Sequence, residues 1–393
     1  MIHLAVPNLT GNEKKYLDNC IDTTFVSSVG EYVTKFEEMV ATATGSDHAV
    51  ATSSGTTGLH AALTAAGVTR DDLVIIPTFT FIASANSVAH CGAMPYLMDI
   101  DEDTWCISPA AIKKELDKNT RYENGTLIHI PTARRVAAIM PVYTLGNTPD
   151  MAAIREIADT YNLPLIVDAA CAIGATVKGT PIGKAADLSV MSFNGNKTIT
   201  CGGGGAVVYN DSDPESKAWG EKVRHITTTA RVWPDYDFDE VGFNYRMTNI
   251  QAAVGVAQME RLKEFIDRKR YVRAYYEKNL QALAAKAITF FPTTEGSSCW
   301  FSGIVLPEGT ELATAKNICA NLKEKDIEAR SFWKPVHLQK PYEKAPRGEM
   351  TVAEKMWRRI ITLPCSTNIT EEELGIVRDA VIESLSLMEL IRM

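Results

Sequence analysis

The chain has 393 residues, 46% of them hydrophobic and 22% charged, with a formal net charge of −8. That length exceeds what one hydrophobic core usually serves, so two domains are expected. The acidic balance argues against general binding to nucleic acid or anionic membranes, and no run of about 18 apolar residues offers a membrane span. The eight cysteines and seven histidines are scattered, with no Cys-x-x-Cys pair. Zinc spacing and a compact disulfide framework are therefore not expected, and no metal site suggests itself. Met1 to Pro7 lack the basic start and long apolar run of a signal peptide, so a cytoplasmic location is expected.

In chain order, Thr10-Gly-Asn-Glu13 reads as a capping box ahead of Leu17, Cys20 and Ile21 at helical spacing. A loop from Phe25 to Gly30 runs into a second helix. Strands and helices then alternate: a strand over Ala49–Thr52, a helix from Thr56, a strand over Leu73–Ile76 stopped by Pro77, and another over Pro95–Asp99. Val136–Met140, the helix after Asp150 and Leu163–Val167 form a β-α-β unit, with Leu188–Ser192 as the next strand. Continuous apolar strands separated by helices imply a parallel sheet covered on both faces, with ligands beyond the carboxyl ends of the strands. Within residues 118–135, Asn124-Gly125 signals an inserted β-hairpin. After Asn249 an apolar pattern running to Ile266 predicts one long helix leading out of the first domain. The tail reads as a strand over Trp300–Leu306, a helix over Ala313–Lys325 and a strand over Ile327–Phe332. A last helix is capped by Thr370 and Glu373. The expected division is a large α/β domain over residues 1–250 and a small α+β domain over 251–393.

The residues with chemical potential fall at the predicted strand ends. Lys197 lies between two apolar strands, ahead of the four glycines Gly202 to Gly205, which mark a sharp turn or a close backbone approach. An amine held out of water there can form a Schiff base with an aldehyde; the plain alternative is a surface lysine on a hairpin. Asp168 directly follows an apolar strand and suits pairing with a protonated ring nitrogen, or else a helix cap. Ser54-Gly-Thr-Thr-Gly58 follows a strand and opens a helix, an anion site of the helix-terminus kind without the P-loop lysine, or a simple cap. In Pro77-Thr-Phe-Thr-Phe81 one ring could lie on a planar cofactor, although phenylalanine is more often core. Together, phosphate cradle, aromatic face, carboxylate and lysine describe a pyridoxal-phosphate site. No Gly-x-Gly-x-x-Gly follows an early strand, which disfavours a nicotinamide enzyme.

Six segments carry a resemblance: Ser53-Ser-Gly-Thr-Thr57, Pro77–Phe81, Asp168-Ala-Ala170, Ser192-Phe-Asn-Gly-Asn-Lys197, Gly242-Phe-Asn-Tyr-Arg-Met247 and Leu363-Pro-Cys-Ser366. In order and over nearly the whole chain, they resemble the DegT/StrS-type sugar aminotransferases. The resemblance implies a fold-type I (aspartate aminotransferase-like) α/β enzyme with a large, mostly parallel sheet domain. It implies a pyridoxal 5'-phosphate cofactor that alternates with its pyridoxamine form, L-glutamate as amino donor, and a UDP- or GDP-linked keto-sugar as acceptor. A homodimer with shared active sites is implied as well. Residue by residue, Lys197 would hold the cofactor and Asp168 its pyridine nitrogen. Gly55, Thr56, Thr57 and Ser192 would bind the phosphate, Phe81 would stack on the ring, and Asn194 and Cys171 would line it. Asn244 would reach the phosphate from the partner subunit. Arg246, Trp333, Lys334 and His337 are the candidate substrate contacts. The hairpin and Phe332–Gln339 resemble the branch that aminates C4 of UDP-linked 2-acetamido-4-keto-6-deoxy sugars.

Two residues depart from the family pattern. Cys171 stands where relatives commonly carry Gln, His or Glu, and Tyr143 where they usually carry His; a thiol is a weak hydrogen-bonding group. Rival readings are a keto-sugar dehydratase, in which histidine replaces the lysine, and a non-catalytic sensor or regulator on the same fold.

Overall fold

A computed structural model describes residues 1–390. The central sheet runs in the order His48–Thr52, Gly205–Tyr209, Leu188–Ser192, Ile166–Asp168, Arg134–Ile139, Leu73–Pro77, Met94–Met98. Parallel bridges Ile139–Leu165 and Val142–Asp168 join its two halves. The strands run parallel except Gly205–Tyr209, which is antiparallel to both of its neighbours. They are buried almost throughout, which is why they read as unbroken apolar runs. The inserted hairpin forms as expected: Thr120–Glu123 pairs with Thr126–His129, and both turn residues, Asn124 and Gly125, have positive φ (51° and 78°).

The predicted long helix is broken. Asn249–Met259 and Leu262–Asn279 are separate helices, the second opening at Arg261, whose φ of −112° is not helical. Apolar spacing carries across that break unchanged, so periodicity alone could not show it. The first capping box does not form either: the helix begins at Glu13 after Asn12, and the Glu13 carboxylate accepts from Gly11 N–H (2.8 Å) and Gln258 Nε2 (2.6 Å) instead. The last helix does carry its box, with Thr370 and Glu373 exchanging hydrogen bonds.

A second core gathers around a small antiparallel sheet of Thr289–Phe290, Ser302–Val305 and Ile360–Leu363, backed by helices Leu312–Glu324 and Glu371–Leu387. The expected strand over Ile327–Phe332 is reduced to single bridges, Ile2–Ile327 and Arg330–Thr362. The chain's first residues, read from sequence as part of the larger unit, pair here: Ile2 N–H donates to Asp326 and Cys365 N–H donates to Leu4. Between the two cores runs a strap, Gly296 to Phe301. Ser298 N–H donates to the Gly146 carbonyl, Trp300 N–H to the Leu145 carbonyl, and Ser298 Oγ to the Cys171 carbonyl (2.9 Å).

Asn249 locks the loop from Phe25 against the start of the helix it opens. Its Oδ1 accepts from Tyr32 N–H (3.1 Å) and its Nδ2 donates to the Phe25 carbonyl (2.7 Å). A Cβ on Gly30 would lie 2.2 Å from Asn249 Cγ, so only glycine lets the loop close over this amide. Asn249→Ala strands two backbone groups and is expected to destabilise the protein by about 2 kcal/mol, read as a lowered midpoint in denaturant titration.

Candidate active site

Three chain turns meet at the carboxyl edge of the sheet. The first is the start of helix Gly55–Ala65. Ser54 caps it, accepting from Thr57 N–H, while Thr57 Oγ1 accepts from Ser54 N–H (3.0 Å) and donates to the Ser54 carbonyl (2.9 Å). Thr57 is therefore committed to the cap, which corrects its expected role as a phosphate ligand. Gly55, Thr56 and the hydroxyl of Ser192 remain to face an anion. A Cβ on Gly55 would stand 2.8 Å from Ser192 Cβ, so the glycine brings the helix terminus against the neighbouring strand end.

The second turn carries Lys197. Phe193 N–H bonds the Gly204 carbonyl and Cys201 N–H bonds the Phe193 carbonyl, closing the loop at its base. Gly202 and Gly204 take positive φ (76° and 125°). At Gly205 a Cβ would lie 2.6 Å from Gly55 N, so here the constraint is close approach. Both uses anticipated for the glycine run are realised. Lys197 is half-buried; its Nζ lies 3.3 Å from Cys171 Sγ and 4.0 Å from the ring centroid of Trp300.

The third turn follows Asp168, a buried carboxylate with no cation at ion-pair distance among the described residues. Ser84 Oγ donates to its Oδ2 (2.7 Å) and Ala170 N–H to its Oδ1 (3.0 Å). Burial pushes the carboxyl above its ordinary value, against the opposing pull of these hydrogen bonds and the Lys197 charge. Burial likewise pushes the Cys171 thiol up, so it stands as a neutral neighbour of the lysine. Ser84 was missed from sequence. Its signal is the helix Ile82–His90 that follows the Pro77–Phe81 segment, but only the fold aims that helix at Asp168.

The remaining candidates divide. Phe81 is 57% exposed at the head of its helix and free to meet a ligand, whereas Phe79 is fully buried. Asn194 is exposed on the lysine loop. Asn244 is exposed in a strip that bonds beside the cradle, where Ser53 N–H donates to the Tyr245 carbonyl and Arg246 bridges Thr52. Trp333 packs among Phe79, Phe81, Trp300 and Phe332 at the mouth, and Lys334 is exposed beside it. His337 is a correction: it is buried, with Nδ1 against Thr78 Oγ1 (2.6 Å) and Nε2 against Glu354 Oε1 (3.1 Å), so it ties its turn to the sheet and leaves no free nitrogen for substrate. Tyr143 belongs to the main core; its backbone N–H bonds the Asp168 carbonyl, and its buried hydroxyl has no partner among the described residues. All eight cysteines are free thiols. His225, Asp239 and Glu240 approach one another, but Lys222 bonds Glu240, making an ion-pair cluster there. No helix among the described residues is long and apolar enough to cross a membrane.

A helix terminus shaped for an anion, a buried carboxylate and a held amine, all at one sheet edge, define a site for a phosphorylated cofactor that bonds amines. Residues 7–382 match the model of the DegT/DnrJ/EryC1/StrS aminotransferase family, and the chain belongs to it. It is 37% identical over 374 residues to the GDP-perosamine synthase of Caulobacter vibrioides, covering 95% of each chain. It is 34% identical over 395 residues to EpsN of Bacillus subtilis, which bears the name of a pyridoxal phosphate-dependent aminotransferase; that match covers 99% of this chain and 97% of the relative. Among solved structures, DesI in the presence of its TDP-sugar product superposes with a TM-score of 0.83 at 26% identity, covering 99% and 94% of the two chains.

The enzyme is thus a pyridoxal-phosphate-dependent aminotransferase, and its residues fit that cofactor. The Gly55–Ser192 contact leaves a backbone cradle that any side chain would fill. Asp168 is a buried carboxylate without an ion-pair partner, as a protonated ring nitrogen requires.

The raised Asp168 carboxyl has a stability consequence. The native state of the cofactor-free protein keeps that proton to higher pH than the unfolded chain. Stability is therefore lost as pH rises from the ordinary 3.8 through the raised native value. Asp168→Asn escapes this loss. It is expected to raise the melting temperature of the cofactor-free protein at neutral pH relative to wild type, while lowering turnover about 100-fold or more. Calorimetry and a coupled assay on the same preparation check both arms.

Proposed function

We propose that this enzyme moves an amino group from L-glutamate to the keto carbon, C4, of a GDP-linked keto-deoxy-sugar, in amino-sugar synthesis for bacterial surface glycans. The observation that carries the reading is the Lys197–Asp168 pair set beside the Gly55–Ser192 cradle. The name of the Caulobacter relative supports GDP over the UDP-linked branch suggested by the hairpin and Phe332–Gln339.

When bound, pyridoxal phosphate supplies an aldehyde that links to amines and a ring that accepts electron density. Lys197 would carry it. Gly55, Thr56 and Ser192 would hold its phosphate through backbone N–H groups and hydroxyls, with Asn244 reaching across from a second subunit. Asp168, fixed by Ser84 and Ala170, would keep the ring nitrogen protonated. Phe81 would cover one ring face, and Asn194 and Cys171 would line the edge. With its Nζ free, Lys197 would take the proton from glutamate Cα and pass it to the cofactor's aldehyde-derived carbon, and with the sugar bound it would return a proton from that carbon to sugar C4. Arg246, Trp333 and Lys334 border the mouth through which the sugar nucleotide enters. A homodimer accords with the exposed apolar residues Trp233 (77%), Tyr236 (80%) and Val241 (86%), which lead into the Asn244 strip.

Lys197→Ala is expected to remove the visible absorption of the cofactor-loaded protein and cut turnover about 1,000-fold. Borohydride reduction of the wild type should fix the cofactor on Lys197 by peptide mass spectrometry. Label on another lysine, or full activity in the variant, refutes the assignment. Amination of GDP-linked keto-deoxy-sugars should exceed that of UDP-linked ones by about 10-fold or more in kcat/KM; the reverse ranking moves the nucleotide assignment to UDP.

A further inference from the structure

Trp300 comes from the strap between the two cores and was not singled out as a functional residue from sequence. It is 3% exposed, and bulk packing would explain a tryptophan there: its ring stacks on Phe301 with centroids 3.9 Å apart and an interplanar angle of 23°. Packing does not explain its other contacts. The indole face lies under Lys197 Nζ at 4.0 Å, and Nε1–H donates to the Asn196 carbonyl (2.8 Å), the peptide just before the lysine. The backbone on either side of the ring is pinned too, Trp300 N–H to the Leu145 carbonyl (3.0 Å) and Cys365 Sγ to the Trp300 carbonyl (3.7 Å). Ring and lysine loop are thus one rigid unit. Lys197 lies over no other aromatic ring among the described residues, and its remaining polar contact is the neutral sulfur of Cys171 at 3.3 Å.

A lysine side chain has several free rotors, and ordering them when the amine leaves its covalent partner has an entropic cost. An indole face is the best aromatic surface for an ammonium, and burial removes the water that would compete. We infer that Trp300 is a positioning residue: its indole face seats the Lys197 amine whenever it is not covalently engaged, and so aims Nζ at the substrate carbon whose proton it takes or restores. Because the strap leads into the strand Ser302–Val305, the seating of the small domain then sets the position of the amine.

The proposal rests on Lys197 being the cofactor-bearing amine, and its test reads the indole–ammonium contact separately from that. Protein loaded with pyridoxamine phosphate, which leaves Lys197 uncommitted, is pulsed with trace acetic anhydride, and Lys197 labelling is followed by peptide mass spectrometry. Trp300→Leu is expected to label about fivefold faster, because Nζ is no longer held against a covering ring. Its kcat should fall about 10-fold, with KM for both substrates within about twofold of wild type. Trp300→Phe, which keeps a ring face, should stay within about threefold on every measure. Labelling of the leucine variant at the wild-type rate, or a phenylalanine variant as impaired as the leucine one, overturns the inference. Should the leucine variant not fold, incorporating tryptophans of increasing fluorine content weakens the ring face and keeps its shape. Labelling should then rise with each fluorine, and a flat series overturns the inference equally. If borohydride instead marks a different lysine, the function assigned to Lys197 fails while the labelling result still stands.

Discussion

The structure turns on one close backbone approach. Gly205 presses on Ser54 and Gly55 so tightly that a single Cβ would sit 2.6 Å from backbone atoms, and Gly55 in turn abuts Ser192. These contacts put the head of a helix, the end of one strand and the beginning of the next into one small volume. The helix terminus supplies unpaired N–H groups, the strand end a hydroxyl, and the loop between the strands the lysine. Without the glycines, side chains would hold the helix off the sheet and separate the anion cradle from the amine that must work beside it.

The charge arrangement follows from where the strand Ile166–Asp168 ends. Asp168 finishes a fully buried strand, so its carboxylate meets low dielectric at once, and two hydrogen bonds cannot replace its hydration. On the proposed function, this position serves a partner that brings its own positive charge. Stability is given up at the point where function requires an unneutralised anion, a trade common at active sites. Cys171 suits the same setting. As a neutral thiol beside Lys197 it adds neither a second charge nor a strong hydrogen bond, whereas a carboxylate there would pair with the amine itself.

The two cores communicate through the strap Gly296 to Phe301. Its backbone is held by the Leu145–Gly146 turn, Ser298 holds the carbonyl of Cys171, and its indole lies against the lysine. Phe79, Trp300, Phe332 and Trp333 around it belong to the second core, and the exposed Phe81 packs against Trp333. The strand Ser302–Val305 is thus joined to Lys197 through closely packed rings.

What the sequence determined was local. Apolar runs set the strands because a sheet covered on both faces has no polar side to record. Asn124-Gly125 set the hairpin through its need for positive φ, and Thr370 with Glu373 set the last helix start. Strand ends then located Lys197, Asp168 and the Ser54–Thr57 turn, since parallel sheets place chemistry at their carboxyl edge. Tertiary structure decided everything that depends on who meets whom. Apolar spacing continued smoothly through Arg261 although the helix breaks there. Thr57 spent its hydroxyl on its own helix cap, and His337 spent both nitrogens on Thr78 and Glu354. Ser84 and Trp300 reached Asp168 and Lys197 from 84 and about 100 positions away. Periodicity and capping report a residue's own backbone, whereas a side chain's partner is chosen by packing between segments whose separation along the chain carries no such signal.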